Sequence, residues 1–287
     1  MTPYNQFVRD YMNVMSSARS LPLGGFPSLP RPALAPDAPV ALIFAPHPDD
    51  ECIVGALALR LLRDMKMRVI DVAVTQGSNK ERQAPRFQEL TNACRFLGFE
   101  VVATQPGGLE KIRPATRHDA PAHWAVAVDV IAAILRARRP KIVFAPHEAD
   151  WNTAHMGTHH LVMDALAKAG PELTCYIVET EYWQAMSAPN LMSEVGPELL
   201  ADLIAALTFH VEEVRRNPYH IGLPAWMQDN VRRGAEIVGG QGGAAPDYRF
   251  ATLYRVLRWN GRTAEPAWQG GKFLAAGEDI RSLFLRA

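Results

Sequence analysis

Short apolar runs that end abruptly in polar loops recur along this chain, and a stretch of helical spacing follows almost every one. The first run, residues 40–45 (VALIFA), carries no charge, which is the pattern of a strand buried on both faces. A charged loop comes next, then a predicted helix that begins near Cys52 (CIVGALALRLLRDM). The cycle repeats with a predicted strand over 67–75 and a helix over 81–98, which Gly98 closes from the position after its last turn. It repeats again with a short strand at 101–103 and a helix over 122–139. A strand over 141–145 then stops before Pro146, and a helix over 154–170 follows. Residues 174–183, rich in β-branched and aromatic side chains, supply one more strand. Such alternation predicts a Rossmann-like α/β fold: a doubly wound, mostly parallel sheet with helices on both faces.

The flanks break this rhythm. Residues 21–38 carry many prolines and glycines without apolar periodicity, so residues 1–38 read as an extended N-terminal arm. The core spans 39–196. From 197 a long helix, a second helix, the glycine run 239–243 and an apolar strand over 249–259 read as a small C-terminal cap, 197–287. With 287 residues and 48% hydrophobic content, the three parts suit one overall domain. Thirty basic residues balance thirty acidic ones, so no net field draws the chain to nucleic acid or an anionic surface. The expected partner is a small molecule, and a homo-oligomer is compatible with the sequence. No window reaches the roughly 18 apolar residues of a membrane span, and the first residues lack the basic start of a secretory signal. Three scattered cysteines with no Cys-x-x-Cys argue against a disulfide framework and a cysteine zinc cluster, and for a reducing cytoplasm.

Two ionisable clusters fall at the carboxyl ends of predicted strands, where open α/β sheets bind their ligands: APHPDDE at 45–51 and APHEADWNTAH at 145–155. Imidazole plus carboxylate suits a borderline divalent ion, and a catalytic zinc commonly has three protein ligands. His47, Asp50 and His155 supply that set. A plain helix cap at Asp49 or Asp50 needs one acidic residue, whereas three consecutive carboxylates beside a histidine repel one another unless a cation or a catalytic task accommodates them. Cys52 reads as a buried helix residue, because no histidine is patterned to activate it. The GGQGG run lacks the lysine and hydroxyl of a phosphate loop and reads as a turn or a pocket wall. The stretch 210–220 reads mostly as a solvated face from which His210 or His220 reaches toward the pocket.

His47-Pro48-Asp49-Asp50-Glu51, with Gly55 beyond it, resembles the signature of the LmbE-like (PIG-L) de-N-acetylases, zinc hydrolases of acetylated amino sugars and related amides. The resemblance runs from about residue 39 to 180 and includes GSNKERQAPRFQEL followed by LGF. It implies His47 and Asp50 as zinc ligands, Asp49 as general base and His155 as third ligand. Where the family has a His-Asp pair, this chain has Asn152 and Ala154. Either Asn152 donates to the oxyanion, or His147 or His159 substitutes. Arg86 matches a position that holds polar substrate groups, and it equally suits an i, i+3 ion pair with Glu89. The resemblance implies a Zn2+-dependent hydrolase of an N-acyl, sugar-like substrate. A non-sugar amide as substrate, or a metal-binding homologue without turnover, are the alternatives that the altered second motif leaves open.

Overall fold

The computed structural model describes residues 2–284. Its elements in chain order are α1 (Tyr4–Ala18), β1 (Val40–Ala45), α2 (Asp50–Ile53), α3 (Gly55–Arg63), β2 (Arg68–Ala73), α4 (Lys80–Leu97), β3 (Glu100–Ala103), α5 (Pro114–Asp119), α6 (Pro121–Arg138) and β4 (Ile142–Pro146). There follow α7 (Thr153–Ala169), β5 (Cys175–Thr180), β6 (Leu191–Glu194), α8 (Pro197–Leu207), α9 (Val211–Arg216), α10 (Tyr219–Ile237), β7 (Ala251–Trp259), β8 (Ala264–Pro266), β9 (Lys272–Leu274) and α11 (Arg281–Phe284).

Among the described residues nine strands form one sheet in the order β3-β2-β1-β4-β5-β7-β6-β9, with β8 paired to β7. The first five are parallel neighbours, as the alternation predicts. Side chains alternate across β1, with Ala41 and Ile43 on one face and Leu42 and Phe44 on the other. One face packs against Leu57 and Leu61 of α3, Leu90 and Phe96 of α4 and Leu203 of α8. The other packs against Ile131 of α6 and Leu161 and Leu166 of α7. Helix α4 begins where the Asn79 side chain accepts a hydrogen bond from the Glu81 amide, and it ends at Gly98, whose φ of 94° places it in the left-handed region.

The flanks differ from expectation. The N-terminal arm is not extended throughout, because Tyr4–Ala18 forms a helix of 15 residues with none of them buried. Nor does the C-terminal part simply cap a finished sheet. Strand β7 enters the sheet antiparallel, between β5 and β6, with Val178 opposite Val256. Its residues 251–254 are all buried, so an apolar run that reads as part of a cap is an interior strand. The helix expected near Cys52 starts two residues earlier, at Asp50, and is interrupted at Val54. Among the described residues no helix is long and apolar enough to cross a membrane.

Strand β1 lies between β2 and β4, so the chain leaves it toward opposite sides of the sheet and a crevice opens at the carboxyl ends of β1 and β4. Both ionisable clusters emerge there. Helix α7, which carries His155, is held against the segment preceding α5: a Cβ on Gly157 would lie 2.5 Å from the backbone nitrogen of Arg113. Backbone cannot swing aside as a side chain does. Gly157→Ala is therefore expected to destabilise the protein by about 1–3 kcal/mol, read as a lowered urea midpoint. A midpoint equal to that of the wild type would mean that α7 does not approach this backbone so closely.

Candidate metal centre and active site

The loop after β1 separates three adjacent carboxylates by giving each its own partners. Asp49 has φ 117° and ψ −27°, a left-handed conformation that a residue with a Cβ adopts at a cost of roughly 1–3 kcal/mol and that clusters at functional sites. Glu51, fully buried, accepts the Asp49 amide at 2.9 Å through Oε2 and faces His210 Nε2 at 2.7 Å through Oε1. Burial works against a charge on His210, but the Glu51 carboxylate outweighs it and raises its pKa. Asp50 accepts the His47 amide at 2.9 Å, and its Oδ2 stands 3.3 Å from His155 Nε2 and 3.6 Å from His47 Nδ1. Although burial pushes the Asp50 pKa up, His155 and His47 hold it below the usual carboxylate range.

His47 Nδ1 and His155 Nε2 approach to 3.3 Å, so the three atoms form a small triangle. A tetrahedral ion with ligands at 2.0–2.1 Å sets neighbouring ligand atoms about 3.3 Å apart. Edges of 3.3, 3.3 and 3.6 Å fit that requirement. Burial lowers the pKa of His155, which favours the neutral imidazole, the form able to ligate a metal. Its other ring nitrogen has no hydrogen bond and lies 3.7 Å from the carboxylate of Asp150. Asp150 is itself fixed by the amides of Asn152, at 2.8 Å, and Trp183, at 3.2 Å. An outer carboxylate behind a ligating histidine is a recurrent device for fixing tautomer and ring orientation. The Tyr182 ring meets that of His155 edge to face, with centroids 4.7 Å apart.

The triangle lies at a cavity of about 400 Å³ that Asp49, Arg86, Asn152, Tyr182, Trp183, Glu213, Tyr219 and Trp226 also line. Asp49 Oδ2 accepts from the Tyr219 hydroxyl at 2.5 Å and from Arg86 at 3.4 Å. Its Oδ1 has no protein donor among the described residues. Burial first, and the neighbouring Asp50 carboxylate second, push the Asp49 pKa up to about 7. Such a group takes and returns a proton readily near neutrality. Asn152 caps α7: its Oδ1 accepts the Ala154 amide at 2.8 Å. That bond orients the side chain and leaves its NH2 without a protein acceptor among the described residues.

Of the residues singled out in the sequence, His47, Asp49, Asp50, Arg86, Asn152 and His155 come together at this cavity. Arg86 does not pair with Glu89. It donates to the Pro48 carbonyl at 2.8 Å and lies 3.7 Å from Glu213. His147 and His159 do not line the cavity, contrary to the substrate-binding role open to them in the sequence. His147 is buried, with Nε2 2.8 Å from the Gln184 carbonyl oxygen, where it ties down the loop after β5. His159 Nδ1 lies 3.0 Å from the Pro146 carbonyl oxygen and 3.4 Å from Glu179. His210 sits behind Asp49 with no exposed surface, and His220 lines a separate, largely apolar cavity beside α1. Cys52 is buried, and burial raises its thiol pKa well above the usual value, which disfavours the thiolate. Sequence reasoning missed Asp150, Tyr182, Glu213 and Tyr219. For Asp150 the signal was its place within the second motif, whereas nothing in local spacing marks Tyr219.

The family model described as PIG-L, GlcNAc-PI de-N-acetylase, matches residues 42–166. No curated protein matches the chain by sequence. Solved structures of similar fold include N,N′-diacetylchitobiose deacetylase from Pyrococcus horikoshii, in complex with its inhibitor MPG, at 19% identity over 78% of this chain and 85% of that one, with a TM-score of 0.56. The zinc-inhibited form of teicoplanin deacetylase Orf2 is similar at 16% identity over 77% of this chain and 99% of its own, TM-score 0.52. GalB, the 4-carboxy-2-hydroxymuconate hydratase of Pseudomonas putida, is similar at 15% identity over 76% and 95%, TM-score 0.55. Identities this low establish a shared fold, and that fold carries more than one reaction. The match over 42–166 contains the whole His47, Asp50 and His155 triangle, and this stretch of the chain is similar to the PIG-L (LmbE-like) domain.

Proposed function

We propose that this chain is a zinc-dependent hydrolase that removes an acetyl or other acyl group from the amide nitrogen of a small, sugar-like substrate. The observation that carries this reading is the convergence of a two-histidine, one-carboxylate triangle with a separately held carboxylate, Asp49, on one cavity. The de-N-acetylase family domain and the deacetylases of like fold support it.

His47, Asp50 and His155 would hold the ion, and their mixed nitrogen and oxygen donors suit zinc. When bound, a divalent cation at this position polarises an amide carbonyl and acidifies water. Asp49 accepts the proton of the attacking water at its free Oδ1 and returns it to the departing amine. Tyr219 and Arg86 occupy Oδ2, so they fix the rotamer of the carboxylate and leave one oxygen to work. As the carbonyl carbon becomes tetrahedral, the Asn152 NH2 donates to the oxygen on which negative charge develops. Arg86 and Arg216 supply donors for substrate hydroxyls on the same wall.

The first test is release of acetate or a longer acid from a panel of N-acyl amino sugars and linear N-acyl amines by the zinc-loaded protein. Absence of acid from every member would remove the proposal. Metal binding is tested separately: about one zinc per chain is expected by elemental analysis, and His155→Ala should abolish most of it. Asp150→Asn should weaken zinc by about 10–100-fold in competition with a chromophoric chelator, since it removes the outer carboxylate behind His155. Unchanged affinity would show that Asp150 does not act through the ligand.

Asp49→Asn is expected to keep its zinc and lose most activity, whereas Asp50→Asn should lose zinc. The reverse pattern would exchange their roles. Asn152→Ala should lower kcat by roughly 10²–10³ with little change in KM, as for loss of an oxyanion donor. A rise in KM at constant kcat would instead make Asn152 a contact of the bound substrate only.

A further inference from the structure

Two tryptophans, one lining the cavity and the other next to it, are more exposed than aromatic residues of their size need be. Trp151, in the loop between β4 and α7, is 73% exposed, and Trp183, in the loop after β5, is 61% exposed. Their ring centroids lie 6.4 Å apart with the planes inclined by 60°. Trp183 lines the cavity beside Asn152 and His155, so the pair continues the site outward.

Neither loop is free to collapse. Asp150, 3.7 Å from His155 Nδ1, accepts the Trp183 amide at 3.2 Å and the Asn152 amide at 2.8 Å, and so brackets Trp151 in the chain. His147 adds a contact of 2.8 Å to the Gln184 carbonyl oxygen. The carboxylate beside His155 thus also holds the backbone next to Trp151 and at Trp183. Large aromatic faces kept in water by a rigid frame next to a binding cavity mark a surface reserved for a ligand.

The geometry also selects the kind of ring. Indoles inclined by 60° form no parallel slot for a flat aromatic group. They offer a face and an edge, which suit a chair-shaped ring with C–H groups projecting from one side. Glu148 and Gln184, both exposed, lie in the loops that carry the pair and offer hydrogen-bonding groups there.

We propose that Trp151 and Trp183 form an outer subsite that stacks a second pyranose ring attached to the N-acylated one, so that the substrate is a glycoside of at least two sugar rings. This rests on the deacylation reading above. The zinc-loaded full chain would be assayed for acetate release from N-acetylglucosamine, N,N′-diacetylchitobiose and 4-nitrophenyl N-acetyl-β-glucosaminide. The wild type is expected to favour the disaccharide over the monosaccharide by about tenfold in kcat/KM, entered through KM, as a stacking contact of ordinary strength gives. Trp151→Ala should bring that ratio near one, and Trp151→Phe should restore part of it. A ratio unchanged in Trp151→Ala, or a gain for the aryl glycoside in place of the disaccharide, would overturn the assignment. Quenching of tryptophan fluorescence by chitobiose and by glucosamine gives a readout independent of turnover. Were no acetate released from any substrate, the deacylation reading would fall. The subsite would then stand if chitobiose bound more tightly than glucosamine to the wild type but not to Trp151→Ala, and would fall if the two sugars bound alike.

Discussion

Three neighbouring carboxylates taken out of water in one turn are the constraint around which the site is built. Left together, Asp49, Asp50 and Glu51 would repel one another and take up protons. The turn at Asp49 gives each carboxylate a different counter-group: Arg86 and Tyr219 for the first, two imidazoles for the second and buried His210 for the third. Charge that would otherwise be prohibitive is thereby shared among three separate sets of partners.

The supporting charges come from elements remote in sequence. Glu213 of α9 pairs with Arg82 at 2.6 Å, lies 3.7 Å from Arg86 and also pairs with Arg216. Helix α9 is thereby tied to α4 across the cavity mouth, and Arg86 is held between Glu213 and Asp49. Several arginine–carboxylate contacts in one partly buried cluster restrain side chains more than isolated surface pairs do. The shape of the pocket and the electrostatics of Asp49 are consequently one property.

The parallel half of the sheet was legible because buried strands read as charge-free runs, and each ligand of the triangle lies a few residues beyond such a run. The convergence of His47, Asp50 and His155 was legible for the same reason, since two strands that share a switch point bring their following loops together. Neighbouring histidines misled. His159 follows His155 by one helical turn, yet its ring turns to the Pro146 carbonyl and Glu179, and His147 is spent on a loop contact. The period of the 249–259 run identifies a strand but not its neighbours, so its place beside β5 was hidden. The N-terminal helix was overlooked although Tyr4, Phe7, Val8 and Tyr11 follow helical spacing, because the prolines after it dominated the reading. Tyr219 was beyond reach, since no local rule connects it to a carboxylate 170 residues earlier.

That separation orders the events of folding. Contacts between residues near in sequence form at lower entropic cost than those that close a long loop. The triangle needs only the chain up to α7, whereas the wall contributed by α9 and α10 comes from segments that follow β6, and α10 packs on β7, which follows it in the chain. The triangle and this wall of the cavity therefore come from separate stretches of the chain. During synthesis, a ribosome-bound chain that has emerged through α7 already carries His47, Asp50 and His155 while still lacking the wall that α9 and α10 give the cavity.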